Sequence, residues 1–306
     1  ITAAEVGGPA MTAVALVGAF TALFAGTIGV AQDDIKRVLA YSTVSQLGFM
    51  VASLGIGAYV AGAFHLITHA FFKALLFLSA GSVIHGVGTN DMMNMGGLRK
   101  KMPITTTVFI IGALALMGIP PLAGFWSKDE IIAHAFEQMQ QGQVVGTIVF
   151  VFLAIAAFFT AFYMTRQIFL TFFGEGRDHH AVEHAHESPI VMWAPLAVLA
   201  FFAVTIGFIN ATPFGINFFE SFVGEGGFMG IKQVAKEFEP GAFNPLVAGM
   251  SVGLALAGIV LGWLIYGWKP IKEGQRDPLS RIPLIWPILR NKYYADELYG
   301  LVIAQK

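Results

Sequence analysis

Residues 62–81 read GAFHLITHAFFKALLFLSAG, a run in which three basic side chains, His65, His69 and Lys73, stand four apart among apolar neighbours. At about 100° per residue, a step of four drifts only about 40°, so on a helix the three share one face. Ionisable groups inside hydrocarbon cost about 2.5 kcal/mol or more near the bilayer centre, and persist mainly where they line an ion path or a hydrated cavity. The stretch predicts a membrane helix with one face turned to an ion-handling interior. Core histidines that merely hold helices together are the plainer alternative, and it suits either histidine alone better than the set of three.

The rest of the chain agrees with a membrane setting. Apolar residues make up 56% and charged residues 12% of the 306, with a mean hydropathy of +0.69, whereas soluble domains carry about a quarter charged residues. A formal charge of −1 says little taken whole, because orientation follows where Lys and Arg lie relative to the spans. With no Cys, disulfides, thiolate metal sites and Cys-ligated iron–sulfur clusters drop out. The chain begins at Ile1 without a signal-peptide pattern and reads as a fragment of a longer subunit.

Taking about 20 apolar residues per crossing, the pattern predicts seven spans, at about 11–31, 37–56, 58–86, 104–137, 143–173, 190–210 and 246–268. The fourth is too long for one crossing and contains Pro120 and Pro121. Proline removes a backbone donor and clashes with the preceding turn, so two half-helices joined by unwound backbone are expected there. Unwound backbone at membrane depth needs protein or water to satisfy it.

If the spans alternate, fourteen of the Lys and Arg residues, among them Lys36, Arg37, Arg99, Arg166, Arg177 and the tail from Lys269, fall on one side. Two, Lys232 and Lys236, fall on the other. The positive-inside rule then puts the 31–37, 87–103 and 174–189 loops and the tail on the cytoplasmic side and the 211–245 loop opposite. Lys73 and Lys128 remain, both within spans. After Trp268 the tail is basic and interrupted by Pro270, Pro278, Pro283 and Pro287, which predicts a surface segment.

Lys128 follows the proline break, in GIPPLAGFWSKDEII (118–132), with Asp129 and Glu130 beside it. Broken helices are where transporters place ion sites, since half-helix ends expose dipoles and free backbone groups. A desolvated Lys can exchange a proton at accessible pH; the alternative is a lysine that snorkels to headgroups. His65, His69 and Lys73 suit a relay, because His exchanges protons near neutral pH and water bridges wider gaps. Zinc is unattractive there, because the next residue on the face is a Lys.

Lys36 opens a helix whose first turns carry Ser42, Ser45 and Gln46, side chains that can line a hydrated entrance or bond across helices; a topological anchor fits Lys36 equally. HHAVEHAHESP (179–189) has metal-like composition but the setting of a solvated or partner-contacting loop. His85 and His134 read as interfacial. Glycine runs such as GLALAG (253–258) read as close helix packing, and nothing resembles a nucleotide site, a nucleic-acid surface or a nucleophilic triad.

The segments DDIKRVLAYSTVSQLGFM (33–50), FHLITHAFFKALLFLSAGSVIH (64–85), MGGLRKKMP (95–103), PPLAGFWSKDEII (120–132) and NKYYADELYG (291–300) together resemble the antiporter-like subunits of proton-pumping NADH:quinone oxidoreductase, respiratory complex I, and most of all its large distal subunit-5 type. The resemblance covers most of the chain. It implies an all-α, polytopic fold of two inverted five-helix repeats, each with one broken helix. Residues 1–173 would be the second repeat, 174–189 a His-rich cytoplasmic-side loop, 190–268 two further spans with a long loop, and 269–306 a basic segment leading to a lateral helix.

By motif position, Lys128 matches the terminal Lys of the second half-channel, Lys73 with His65 and His69 the central relay, and Lys36 the basic residue on the cytoplasmic side. A sister subunit places Glu where Lys128 stands. The implied setting is an energy-transducing membrane, bacterial plasma or mitochondrial inner. The implied partners are other membrane-arm subunits, lipid, protons and internal water, with NAD, FMN, iron–sulfur clusters and quinone held by partner subunits and no cofactor in this chain. Rivals are a subunit of a multisubunit sodium/proton antiporter or membrane-bound hydrogenase, and a scaffold that assembles the arm without conducting.

Overall fold

The computed structural model describes residues 8–224 and 243–304. Among them the chain is helical, with one isolated β-bridge between Asp34 and Asp91. The helices are α1 (Pro9–Val30), α2 (Ile35–Gly55), α3 (Tyr59–Val87), α4 (Pro103–Met117), α5 (Ala123–Gln140), α6 (Val144–Phe172), the short α7 (His179–Glu183), α8 (Ile190–Thr205), α9 (Phe218–Gly224), α10 (Pro245–Gly262), α11 (Ile285–Arg290) and α12 (Ala295–Tyr299). Counting the 3-10 turn that extends α8 to Asn210 and the π turn that extends α10 to Gly267, six helices are long and apolar enough to cross a membrane. The seventh expected crossing is the pair α4 and α5. The chain is a multi-pass membrane protein.

Close backbone approach fixes the first pair. A Cβ on Gly18 would strike the backbone of Ala52, and one on Gly48 that of Ala22, so only small residues let α1 and α2 lie this near. Membrane helices gain no hydrophobic drive against lipid, so such van der Waals contact supplies much of the attraction. α3 is the hub, packed against α2, α4, α5 and α8, while α6 closes the bundle against α1, α5 and α10.

The buried apolar side chains form two clusters. One takes Ile35, Leu39, Phe72, Leu75, Leu76, Phe109 and Phe172; the other takes Phe49, Ala61, Ile131, Phe136, Val149 and Leu153. The gap between them falls at residues 40–48 of α2, 62–71 of α3 and 123–130 of α5, which carry Ser42, Gln46, His65, His69 and Lys128, while Lys73 stands just beyond it beside Phe72. Outward-facing Val17, Phe20, Leu66, Leu78, Val198, Phe201, Leu256 and Val260 are exposed, as a lipid- or subunit-facing surface requires.

The loops that the charge pattern assigns to one side meet at one end. Ile35 N donates to Asn90 O at 3.0 Å and Met92 N to Asp33 O at 2.9 Å; Arg177 N donates to Met95 O at 3.2 Å and Asp178 N to Asn94 O at 3.1 Å. At the other end, Gln138 Nε2 donates to Ile56 O at 2.8 Å. Lys232 and Lys236, which the count places on that other side, lie outside the described residues.

Arg166 departs from its expected place as a loop-side charge. It is fully buried on α6, with Nη2 at 2.7 Å from Asp33 Oδ1 and 2.8 Å from Asp277 Oδ2. Nη1 donates to Gln32 O at 2.5 Å, and Nε reaches Tyr266 Oη at 3.2 Å. Two acidic side chains from distant segments compensate the buried cation. The tail is thus anchored as well as superficial: Asp277 and Trp286 are buried, while the Tyr293 ring stacks on Phe24 with centroids 4.6 Å apart.

Candidate functional site

The broken helix creates the first element of the site. α4 stops at Met117 because Gly118 takes a left-handed conformation, φ +80°, as its C-cap. Residues 118–122, with Pro120 and Pro121 among them, form an unwound turn, and Gly124 lets α5 start directly against the Ala115 carbonyl, where a Cβ would collide. Much of the freed backbone is satisfied locally: Gly118 N donates to Ala115 O, Ile119 N to Leu114 O and Leu122 N to Ile119 O. The last four carbonyls of a helix lack intrahelical partners. One of them, Leu116 O, accepts from Lys128 Nζ at 2.7 Å.

Lys128 therefore does not snorkel. It is 3% exposed, its ammonium sits at the negative end of the α4 dipole, and it lies 5.3 Å from the centroid of the Phe49 ring. The helix break supplies both the acceptor and the room.

α3 carries the second element. Lys73 Nζ donates to Leu39 O at 3.1 Å and makes a short bond to Ser42 Oγ. His65 Nδ1 lies 2.9 Å from Ser127 Oγ and its Nε2 3.0 Å from Gln46 Oε1; Thr68 Oγ1 joins Ser127 at 2.7 Å. With the Gln46 carbonyl turned to the ring, Nε2 holds the proton and Nδ1 accepts from Ser127. His69 lies between them in sequence, its ring 6.0 Å from that of His65 and edge-on to Phe72 at 5.4 Å. His69 Nε2 and Gln46 Nε2 are buried without a hydrogen-bond partner among the described residues. Buried polar atoms are seldom left so, and bridging water is the usual remedy.

The structure joins His65 to Gln46, His69 and Ser127, the residue before Lys128, and Lys73 to Ser42. It does not bring Ser45 or Lys36 to these groups. Ser45 Oγ turns away and donates to Ala22 O on α1 at 2.7 Å. Lys36 is exposed on the first turn of α2, where Asp34 Oδ1 accepts from the Lys36 and Arg37 amides.

Asp129 and Glu130 point to the far end: Ser251 Oγ donates to Asp129 Oδ1 at 2.5 Å, and Asn210 Nδ2 to Glu130 Oε2 at 3.4 Å. Both carboxylates line a small cavity with Trp126, Asn210, Thr212 and Asn244. Sequence reasoning missed Ser127 and Thr68. Ser127 stands beside Lys128, and Thr68 is three residues from His65 on its face, which is the signal that could have found them.

In the His-rich loop, His179 is exposed 3.5 Å from Glu273, and His85 and His186 face each other with ring centroids 6.4 Å apart. The side chain of His180 lies outside those described. Asp178 caps α7, and Glu187 caps α4, accepting from Ile104 N at 2.7 Å. His134 is half-buried, 3.9 Å from Glu137.

A bundle with a discontinuous helix whose free end holds a buried lysine, beside a helix that buries two histidines and a second lysine, defines a broken-helix, polytopic membrane fold. The family described as NADH:quinone oxidoreductase/Mrp antiporter, TM, matches residues 2–160, and the chain belongs to that family. It is 44% identical to a Picosynechococcus protein named NAD(P)H-quinone oxidoreductase chain 5, over 96% of this chain and 46% of that one. To NADH-quinone oxidoreductase subunit L of Rickettsia bellii it is 42% identical, over 95% and 44%. Among solved structures it is similar to a chain of the Mrp complex from a Dietzia species, with TM-score 0.65 and 27% identity over 94% of this chain and 29% of that one. The chain spans a little under half the length of the curated relatives it matches.

Proposed function

We propose that this chain is the second half-channel, with the following helices, of a proton-translocating subunit of NADH:quinone oxidoreductase. Protons move along Lys128, His65, His69, Lys73 and water, while redox chemistry in partner subunits, which hold NAD, FMN, iron–sulfur clusters and quinone, switches their proton affinities. The single observation that carries this is Lys128 Nζ on Leu116 O at 2.7 Å, a cation buried at the break of a helix with no carboxylate salt-bridge partner among the described residues. A structural ion pair would explain a buried lysine; one without a carboxylate, placed on the free end of a broken helix, has the setting in which transporters handle ions.

Each residue has a step. Charged Lys128 donates to the Leu116 carbonyl, and once neutral its amine can accept a proton from the file. Ser127 links this end to His65 Nδ1, and Thr68 holds the Ser127 hydroxyl. His65 transfers through a change of tautomer or by passing through imidazolium. His69 Nε2 is the atom at which water joins the two histidines to Lys73, and Lys73 is held by Leu39 O and Ser42 together. Lys36 stands at the cytoplasmic start of α2 as the outer basic group. Asp129 and Glu130, with Asn210 and Ser251, form the polar way out toward the opposite compartment.

The similarity to the Mrp chain favours a second reading, a subunit of a multisubunit sodium/proton antiporter, in which the same file exchanges protons against sodium. The test is proton uptake per quinone reduced in proteoliposomes carrying the full complex, Lys128→Ala against wild type, with assembly checked by native gel. Proton translocation predicts intact assembly with a sharp loss of uptake. Wild-type uptake would overturn it in favour of a scaffold, and uptake that tracks a sodium gradient with no quinone substrate would favour the antiporter.

A further inference from the structure

Beyond Lys73, α3 continues toward the cytoplasmic end and carries a second set of buried hydroxyls that the file above leaves unused. Ser82 Oγ is 3.0 Å from Thr105 Oγ1 on α4 and bonds closely to Ser188 Oγ of the His-rich loop. Thr105 Oγ1 in turn donates to Glu187 Oε1 at 2.6 Å. Ser82, Thr105 and Ser188 are all buried, whereas Glu187 is half-exposed. The other oxygen, Glu187 Oε2, accepts from Ile104 N at 2.7 Å and Thr105 N at 3.2 Å. The loop is seated on α3 here, since a Cβ on Gly86 would be 3.0 Å from His186 O.

One turn inward from Ser82, Ser79 Oγ is fully buried and has no hydrogen-bond partner among the described residues. The same holds for Gln167 Oε1 and Thr171 Oγ1 on the cytoplasmic half of α6. Leaving a fully buried hydroxyl without a partner is costly, so orphan oxygens near one end of a bundle mark a hydrated region. Gln167 also connects to the site, because its Nε2 donates to Ile35 O at 3.0 Å, one turn before the Leu39 carbonyl that holds Lys73.

We propose that the file has a second limb, an inlet from the cytoplasmic side that starts at the Glu187 carboxylate and runs through Thr105 and Ser82 past Ser79 to Lys73. Once Glu187 Oε1 takes up a proton the bond reverses: the carboxyl gives that proton to Thr105 Oγ1, whose own proton, turned to Ser82 Oγ, passes there while Ser82 releases its proton to water beside Ser79. Each hydroxyl both accepts and donates, so the chain regains its composition after every transfer. From Ser79 to Lys73 is six residues, about 9 Å along the axis, a gap that water crosses before Lys73 takes the proton. The His-rich loop thereby gains a role: it carries the carboxylate that opens the limb and, with the same carboxylate, caps α4, the half-helix whose other end holds Lys128.

This rests on the proton-translocation reading, and the test separates the two. In the assembled complex in proteoliposomes, Thr105→Val removes the hydroxyl at nearly constant volume, Thr105→Ser keeps it, and Glu187→Gln keeps a capping oxygen but no titratable carboxylate. Proton uptake per quinone reduced is measured for each beside Lys128→Ala, with quinone reduction under uncoupler as the measure of intact chemistry. The limb predicts about a tenfold loss of uptake for Thr105→Val and Glu187→Gln, near-wild-type uptake for Thr105→Ser, and unchanged uncoupled turnover. Wild-type uptake in Thr105→Val or in Glu187→Gln, with Lys128→Ala impaired, overturns the limb and leaves the file standing. Equal losses in Thr105→Val and Thr105→Ser also overturn it, since the effect would then follow packing. If Lys128→Ala is itself at wild-type level, the parent reading fails.

Discussion

Lys128 shows at the scale of one residue why the type of cation matters. An ammonium on the Leu116 carbonyl can give up its proton; a guanidinium in the same place stays charged. Lys128→Arg is therefore expected to assemble and yet to lose proton uptake by about tenfold or more, measured by dye quenching in proteoliposomes under turnover. A variant that pumped normally would reduce the site to a fixed positive charge. Gln46 is the complementary case. Gln46→Leu leaves His65 Nε2 without its acceptor inside the bundle, at a cost of about 1–3 kcal/mol, and is expected to lower the unfolding temperature of the complex along with proton uptake. Thr68 and Ser127 escaped the sequence reading because a hydroxyl in an apolar helix so often bonds only its own backbone.

At the scale of elements, two junctions decide the arrangement. The α4–α5 break needs Gly124, because a side chain there meets the Ala115 carbonyl. Gly124→Val is expected to prevent assembly, seen as loss of the complex on native gels, whereas Gly249→Ala, in open space on α10, is expected to assemble. The second junction is Arg166, which ties α6 to the α1–α2 turn and to the tail. Arg166→Met leaves Asp33 and Asp277 without the cation between them, and breaking a buried pair costs about 3–5 kcal/mol. Limited proteolysis is expected to cut the 269–304 segment faster in that variant. The Pro–Pro interruption announced the first junction in the sequence. Arg166 gave no comparable sign, since a charge near a helix end reads as a loop-side marker until the acidic partners, from segments over a hundred residues away, are seen to meet it.

For the whole molecule, the testable property is sidedness. The chain has no Cys, so single cysteines can report it with no background from these 306 residues. Lys100→Cys and Lys272→Cys are expected to react with an impermeant maleimide from one face of the membrane, and Gln141→Cys and Phe214→Cys from the other, all four positions being exposed. Labelling of Lys100→Cys and Gln141→Cys from the same face would break the topology. The charge count predicted this grouping of loops, and the hydrogen bonds between 33–35 and 90–92, and between 94–95 and 177–178, bring the loops it assigns to one side to one end.

The sequence by itself determined the membrane class, the approximate spans, the position of the helix break and the shared face of His65, His69 and Lys73, because hydropathy, proline chemistry and helical periodicity act within one segment. Tertiary structure alone decided which polar groups meet. Lys128 finds Leu116 O only when α5 folds back on the end of α4. His65 joins Ser127 and Gln46 only between α5 and α2, and Ser45, one residue from Gln46, turns to α1 instead. A hydrogen bond reaches about 3 Å, and which two groups come that close in a bundle depends on the rotation and depth of each helix, which packing against several neighbours fixes together.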